Sequence, residues 1–188
     1  MTTTPDLALP GVALIVCGEH PAGRDSATSG MDGLLAHSVL PSVDGTTELH
    51  YAQWGRDTVE PAYPDLPYRM YRRHAGGHAV GPPGVVLAKS VRTDGVEQAR
   101  RLAAAQLEVI MTERPRGLLS SNFHIATDGS TLLQYAEWLT EAALAAFLDS
   151  RTGAPSPAVR DMMRGKQVRV RTFGPGRTLV PPPASDPR

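Results

Sequence analysis

Apolar and polar residues alternate along two stretches of the chain, Leu34–Trp54 and Leu118–Trp138, which have the same length and align without a gap. Nine of their 21 positions are identical, among them a central Asp-Gly pair, a Tyr-Ala pair and the final Trp. Alternation with a period of two predicts β-strands, and an Asp-Gly pair between two such runs predicts a hairpin. The predicted hairpins are Leu34–Pro41 with Glu48–Trp54 and Leu118–Ala126 with Thr131–Trp138. A repeated supersecondary unit indicates one architecture built twice.

The second half of the chain completes a ferredoxin-like order around its hairpin. An apolar run, Gly84–Val91, precedes a segment in which helical spacing places six residues on one face: Val96, Ala99, Leu102, Ala103, Gln106 and Ile110. Asp94 is predicted to cap this helix, with Glu97 three residues further on, and Pro115 to close it. Two more helices, within 140–150 and 156–165, and a strand within 166–173 follow. This order predicts a ferredoxin-like α+β unit.

The first half has matching strands but poor helices. An apolar run (Gly11–Cys17) and a fourth strand (Tyr68–His74) flank its hairpin, whereas 21–33 is short and Gly-rich and 56–67 contains three prolines. The predicted fold class is therefore α+β, a tandem ferredoxin-like repeat of the dimeric α/β-barrel type that forms an internal pseudo-dimer. Its parts are a degenerate first half (8–76), a linker (77–83), a second half (84–175) and a Pro-rich tail (176–188).

Composition narrows the function only by exclusion. The 188 residues carry 19 basic and 19 acidic side chains, so neither nucleic acid nor an anionic membrane is an expected partner. No apolar run is long enough to span a bilayer, and no segment has the order of a signal peptide, so the expected location is cytoplasmic. The single cysteine, Cys17, is expected to be a small buried hydrophobic residue.

The hairpin register defines one face of the second copy. With a two-residue turn, Leu119 lies opposite Trp138, Ser121 opposite Ala136, and Phe123 opposite Gln134. This face is apolar except for one hydroxyl, one amide and one indole N–H, which suits a pocket for a small aromatic ligand. The alternative, that Trp138 is simply core and Gln134 bonds a helix end, stays open. The opposite face carries Asn122, His124, Tyr135 and Glu137 and suits contact with the other half.

The equivalent face of the first copy contains His37, His50 and Trp54. The two histidines lie diagonally across neighbouring strands, where they could share a metal. Two histidines without a third ligand favour ordinary core or surface roles instead, so no metal site is predicted.

The stretch from Gly117 to Leu148 resembles the antibiotic biosynthesis monooxygenase family. It matches the family motif in Gly117–Ser120, Phe123-His124, Asp128-Gly129, Tyr135-Ala136 and Trp138, and the first copy retains Tyr51-Ala52-Gln53-Trp54. The resemblance covers about 84–173 well and 11–74 loosely. Family members are usually homodimers of single domains, and a fused tandem suits the internal pseudo-dimer; whether the chain also forms a homodimer is left open.

The resemblance implies an enzyme of antibiotic biosynthesis that oxygenates an aromatic polyketide, phenol or anthrone, to a quinone. The reaction needs no flavin, haem or metal, and O2 is the co-substrate. The implied catalytic residues are Trp138, Gln134 (where the family usually has Asn) and Arg160 on a later helix. Four residues are expected to line the substrate site: Leu119, Ser121, Phe123 and Leu144, the last standing where the family has Tyr. His37, His50 and Trp54 are secondary candidates.

Three other functions remain open: a non-redox cyclisation or rearrangement in the same pocket, a non-catalytic binding protein, and haem binding through histidines. The main cavity is predicted in the second half, between the Gln134/Trp138 face and the helices, because only that half has a helix long enough to cover its sheet.

Overall fold

The computed structural model describes residues 3–23, 32–57, 65–76, 79–150 and 157–181. Its first half contains four strands: β1 (Leu14–Pro21), β2 (Leu34–Pro41), β3 (Thr47–Trp54) and β4 (Leu66–Ala75). The second contains β5 (Val85–Arg92), α1 (Val96–Glu113), β6 (Leu118–Ala126), β7 (Thr131–Trp138), α2 (Glu141–Ser150), α3 (Pro157–Met163), β8 (Val168–Phe173) and β9 (Arg177–Leu179). The Gly-rich and Pro-rich connections of the first half fall largely outside the described residues. No helix in the described part of the chain has the length and apolar character that a membrane span requires.

All the strands belong to one antiparallel sheet in the order β8-β5-β7-β6-β4-β1-β3-β2-β9. Numbered within its own half, each set of four strands reads 4-1-3-2, the ferredoxin-like order, and β6 joins β4 where the halves meet. The ends of β2 and β8 also approach, because Ser42 bridges Phe173 and the Gly174 amide donates to the Pro41 carbonyl at 2.8 Å. The predicted α+β class is correct, and a single sheet contains both halves.

The hairpin turns differ in type from the predicted two-residue loops. The Gly45 amide donates to the Ser42 carbonyl, and the Gly129 amide to that of Ala126, so each turn begins two residues before its aspartate. Positive φ occurs at the glycines (71° and 73°) and at neither aspartate, whereas a type I′ turn needs it at both central positions. The loop stays symmetric about the Asp-Gly pair, so the predicted strand pairs Phe123–Gln134 and Val39–His50 are correct.

A β-bulge at the start of each hairpin corrects one predicted pair. Leu118, not Leu119, lies opposite Trp138, because Leu119 is the extra residue. The first copy has the same irregularity at Leu35, so that Leu34 lies opposite Trp54. A bulge changes side-chain parity on one strand only, which removes Leu119 from its predicted place opposite the indole. The two copies share this irregularity as well as their sequence.

Two further corrections concern the ends of elements. Gly95 is the N-cap of α1, without a side-chain cap, because the Asp94 carboxylate accepts a hydrogen bond from Lys166 instead. The segment assigned to the tail contains β9, which pairs with β2 through Thr178 and Ser38, hydroxyl to hydroxyl at 2.7 Å. Pro115 follows the helix end as predicted, after Arg114 in a left-handed conformation.

The two faces of the sheet bury different cores. In the second half, α1 and α2 cover a core that includes Phe123, Trp138 and Leu144. The other face buries residues of both halves together: Ile15, Cys17, Leu40, Leu49, Tyr51, Tyr68, Val86, Ala88, Ala126, Leu133, Tyr135 and Phe173. Cys17 is buried there, as expected, and burial raises the pKa of its thiol well above the usual range.

The predicted contact between halves is present in this shared core. The Tyr51 hydroxyl of β3 and Nε2 of His124 in β6 form a hydrogen bond of 2.9 Å, and both side chains are fully buried. Tyr135, the counterpart of Tyr51 in the repeat, lies against it with ring centroids 5.3 Å apart. The Tyr135 hydroxyl has no hydrogen-bond partner among the described residues. Two equivalent tyrosines therefore have unequal roles.

We expect Tyr51→Phe to lower the free energy of unfolding by about 1–3 kcal/mol, because it leaves a buried imidazole nitrogen without its hydrogen-bond partner. The matched control is Tyr135→Phe, which removes a hydroxyl that has no described partner and should cost less than half as much. Urea unfolding of both variants at pH 7.5 measures the difference. If the two variants lose the same free energy of unfolding, the Tyr51–His124 hydrogen bond does not contribute to stability in the way we expect.

Candidate functional site

Four polar side chains meet on the helix-facing side of the second half. Gln134 donates from Nε2 to the Ser121 hydroxyl at 3.0 Å. Lys89 lies opposite Gln134 on β5, and its ammonium donates to Oε1 of Gln106 on α1 at 3.3 Å. Ser121 and Gln106 are buried, whereas Lys89 and Gln134 are partly exposed. These residues, the amide–lysine cluster, place one cation and two amides within an apolar face, with access from solvent at Lys89 and Gln134.

Trp138 adds a buried donor to the same face. Its side chain is 2% exposed, and its ring centroid lies 5.2 Å from that of Phe147 on α2. The indole N–H is buried without a hydrogen-bond partner among the described residues. A buried donor that stays unpaired lowers the stability of the fold by about 1–3 kcal/mol. An oxygen of a bound molecule could accept a hydrogen bond from this indole N–H. On β7 only the small Ala136 lies between it and Gln134 on this face.

The remaining predicted residues lie at different depths. Phe123 and Leu144 are buried in the helix-covered core, and Leu119 is the bulge residue. Arg160 is exposed on α3, the helix whose Met162 and Met163 pack against that core. Phe147 and Leu144 pack against this face, and Phe147 lies over the Trp138 ring.

Lys89 and Gln106 were missed as members of the cluster. The sequence did contain a signal: Gln106 is a polar residue at a position that helical spacing assigns to the buried face. A polar group there must find a partner across the interface with the sheet. Lys89 is that partner, at the strand position beside Gln134.

The equivalent face of the first half buries three histidines. The ring centroid of His50 lies 4.8 Å from that of His20 and 5.2 Å from that of His37. Nε2 of His20 lies 3.0 Å from a carboxylate oxygen of Asp65. Nε2 of His50 and the Trp54 indole N–H are buried without a hydrogen-bond partner in the described part of the chain.

Burial favours the neutral imidazole in His37 and His50. Burial, followed by the charges of His50, Arg177 and His20, lowers the pKa of His37 to about 4. Burial and the neighbouring His20 also lower the pKa of His50, more than Glu48 and Asp65 raise it. Residues 3–23, 32–57, 65–76, 79–150 and 157–181 contain no group of three or more His, Cys, Asp or Glu side chains arranged to hold a metal ion.

Comparisons with known proteins identify the fold. No family model matches the sequence, and no curated protein matches it. Among solved structures, an anthrone oxidase-like protein superposes with a TM-score of 0.63 at 13% identity, over 89% of this chain and 92% of the other. A ferredoxin-fold protein related to antibiotic biosynthesis monooxygenases, from Listeria monocytogenes, has a TM-score of 0.54 at 14% identity, over 92% and 100%. A heme-degrading enzyme from the same species has a TM-score of 0.53 at 16% identity, over 86% and 99%.

The chain has the ferredoxin-like fold of monooxygenase-related proteins, which is the fold that the family resemblance implied. At these identities the likeness is one of fold. Function therefore depends on the side chains described above.

Proposed function

We propose that the chain is a cofactor-independent oxygenase that converts an aromatic polyketide, a phenol or anthrone, to the quinone in antibiotic biosynthesis. The observation that carries the proposal is the amide–lysine cluster beside the unpaired indole N–H of Trp138. An apolar face with a few convergent donors suits one flat aromatic ring that carries a single oxygen. The anthrone oxidase-like protein with the same fold supports this substrate class.

The proposed chemistry uses these groups as donors. Lys89 favours the deprotonated substrate by its charge, and the Gln134 amide and Trp138 indole donate to the enolate oxygen. The enolate gives one electron to O2, and the resulting radical pair combines into a carbon-bound peroxide. In an anthrone, the peroxide loses water across its O–O and C–H bonds to leave a carbonyl, so the CH2 carbon gains one oxygen atom and the second leaves as water.

In the proposed complex, Phe147 and its helix α2 move aside. The substrate ring takes the place that Phe147 now occupies against Trp138, which exposes the indole N–H to the substrate oxygen. A displacement of one side chain and its helix is within the range that small ligands cause on binding. Arg160, exposed on α3, contributes positive potential at the entrance.

We also propose that the two halves are an internal pseudo-dimer. Support comes from the shared strand order, the shared bulge, and the meeting of the equivalent residues Tyr51 and Tyr135 in the common core. In a homodimer both sites would be identical. Here the second half has the polar cluster, and the first has three buried histidines.

The test is O2 uptake by the purified protein with an anthrone and a naphthol, with product formation followed by absorbance and mass. The expected result is a quinone, one mole of O2 consumed per mole of anthrone, and 18O incorporated from labelled O2. Consumption of substrate without O2 uptake would identify the cyclisation alternative, and binding without turnover would identify a binding protein.

Haem binding is a second candidate, because His50 offers a buried imidazole nitrogen without a hydrogen-bond partner among the described residues. A fold neighbour is a heme-degrading enzyme. Titration with hemin would then give a Soret band that His50→Ala abolishes. A titration without a saturable Soret change would rule this candidate out.

A further inference from the structure

A second cavity lies on the other face of the sheet, away from the amide–lysine cluster. Its volume is about 510 Å³, and β1, β3, β4, β5, β7 and β8 line it, so both halves contribute. On β5, Ala88 and Ser90 face this cavity, whereas Lys89 between them bonds α1 on the opposite side. A molecule bound here would not touch the oxygenation site. The volume falls within the range typical of small-molecule sites, about 300–1,000 Å³.

The cavity has an apolar floor and a cationic rim. Leu49, Leu133 and Phe173 form part of the floor. The rim contains three arginines, Arg92, Arg169 and Arg171, against two carboxylates, Glu19 and Asp65.

Both carboxylates already have hydrogen-bond or ion-pair partners within the protein. Glu19 accepts a hydrogen bond from the Thr47 hydroxyl at 2.8 Å and lies 3.3 Å from the Arg171 guanidinium and 3.8 Å from that of Arg169. Asp65 pairs with His20. Arg92 forms no ion pair within the part of the chain that the structure describes, although it lines the same opening. Arg171 also lies 3.7 Å from a carboxylate oxygen of Asp44, so Arg169 and Arg171 share their charge with Glu19 and Asp44.

We propose that this cavity binds a carboxylic acid with a compact apolar body, an aromatic or alicyclic acid of up to two or three rings. The apolar floor excludes water from the ring, and the rim supplies a fork of N–H donors for one carboxylate. Ser90, Thr131 and Gln167 add neutral donors beside the arginines. The guanidinium of Arg92, which forms no ion pair among the described residues, suits one carboxylate better than a phosphate diester chain or a nucleotide.

The test is calorimetric titration of the full chain with 2-naphthoate, with 2-naphthamide as the neutral analogue and inorganic phosphate as the anion without a ring. We expect one-site binding of naphthoate that weakens as salt is added, because part of the attraction is between exposed charges. Phosphate and the amide should bind at least tenfold more weakly. Equal binding of the amide, or of phosphate, would overturn the proposal.

Variants locate the site. Arg92→Gln should weaken naphthoate binding about tenfold, the typical effect of losing a charge-assisted hydrogen bond. Ala88→Leu should abolish it by filling the floor, with thermal melts to show that the chain still folds. Arg164→Gln, at an exposed arginine that follows α3 and pairs with Asp161, is the matched control and should change nothing. Loss of binding in Lys89→Met with none in Arg92→Gln would place the ligand at the oxygenation site and contradict the proposal.

Discussion

Replacement of Gln134 by alanine is expected to lower the rate of O2 uptake about 10²–10³-fold, the usual cost of removing one preorganised donor to an oxygen that gains charge. The free energy of unfolding should change little, because the Gln134 side chain is partly exposed and donates one hydrogen bond, to the Ser121 hydroxyl. The measurement is steady-state O2 uptake with an anthrone, alongside a urea unfolding curve. Gln134→Asn should retain or raise activity, since it keeps the amide and restores the residue that the family resemblance expects.

Two controls separate this effect from simple loss of packing. Ser121→Ala removes the partner of the amide without removing the amide itself, so its effect on rate should be much smaller than that of Gln134→Ala. His50→Ala tests the counterpart of Gln134 in the first half. If His50→Ala abolishes turnover and Gln134→Ala does not, the reaction belongs to the first half and our assignment of the site is wrong.

Acidification from pH 6.5 to 4 is expected to destabilise the fold strongly. Burial lowers the pKa of His124 to about 4, and the same cause lowers the pKa of His37 to about 4. Because both folded-state values lie below the unfolded value of about 6.5, the fold favours the neutral imidazole. The neutral histidines therefore contribute their full stability to the fold above pH 6.5. This stability is lost as the pH falls from 6.5 through the folded-state pKa. For the fully buried His124 the loss at pH 4.5 is roughly 2.5 kcal/mol.

Urea unfolding curves at pH 7.5, 6, 5 and 4.5 measure this dependence. His124→Gln keeps an acceptor for the Tyr51 hydroxyl but does not titrate, so its stability should change less between pH 7.5 and 4.5 than that of the natural chain. His74→Gln, at a partly exposed histidine, is the matched control for the His-to-Gln substitution itself. An identical slope in His124→Gln and the natural chain would contradict the assignment.

The strands could be predicted because their signals are local. Alternation and the Asp-Gly pairs give β2, β3, β6 and β7 to within a residue, and the same parity brings Ser121 and Gln134 together. The bulges at Leu35 and Leu119 could not be predicted, because a bulge depends on how a whole strand pairs with its neighbour. The predicted helix cap at Asp94 was wrong for a similar reason. Its carboxylate accepts a hydrogen bond from Lys166, which lies 72 residues away in the sequence.

The site was harder to predict than the sheet. Strand parity places Gln134 and Trp138 on the helix-facing side, but only the packing of α1 shows that Gln106 meets Lys89 there. The cavity between the halves depends on six strands from both halves. Its arginines on β8 alternate along an otherwise ordinary exposed strand, so no local pattern distinguishes them.

The pairing of β9 with β2, together with the hydrogen bond from Gly174 to Pro41, has a consequence for the protein at high concentration. A strand at the rim of a sheet offers its free amides and carbonyls to strands of other molecules, and this is a common route to aggregation. In β2, residues His37 to Val39 already pair with β9, and the Pro41 carbonyl accepts from Gly174. The chain itself thus occupies backbone groups that a neighbouring molecule would otherwise use, and so disfavours aggregation through the β2 rim in a crowded solution.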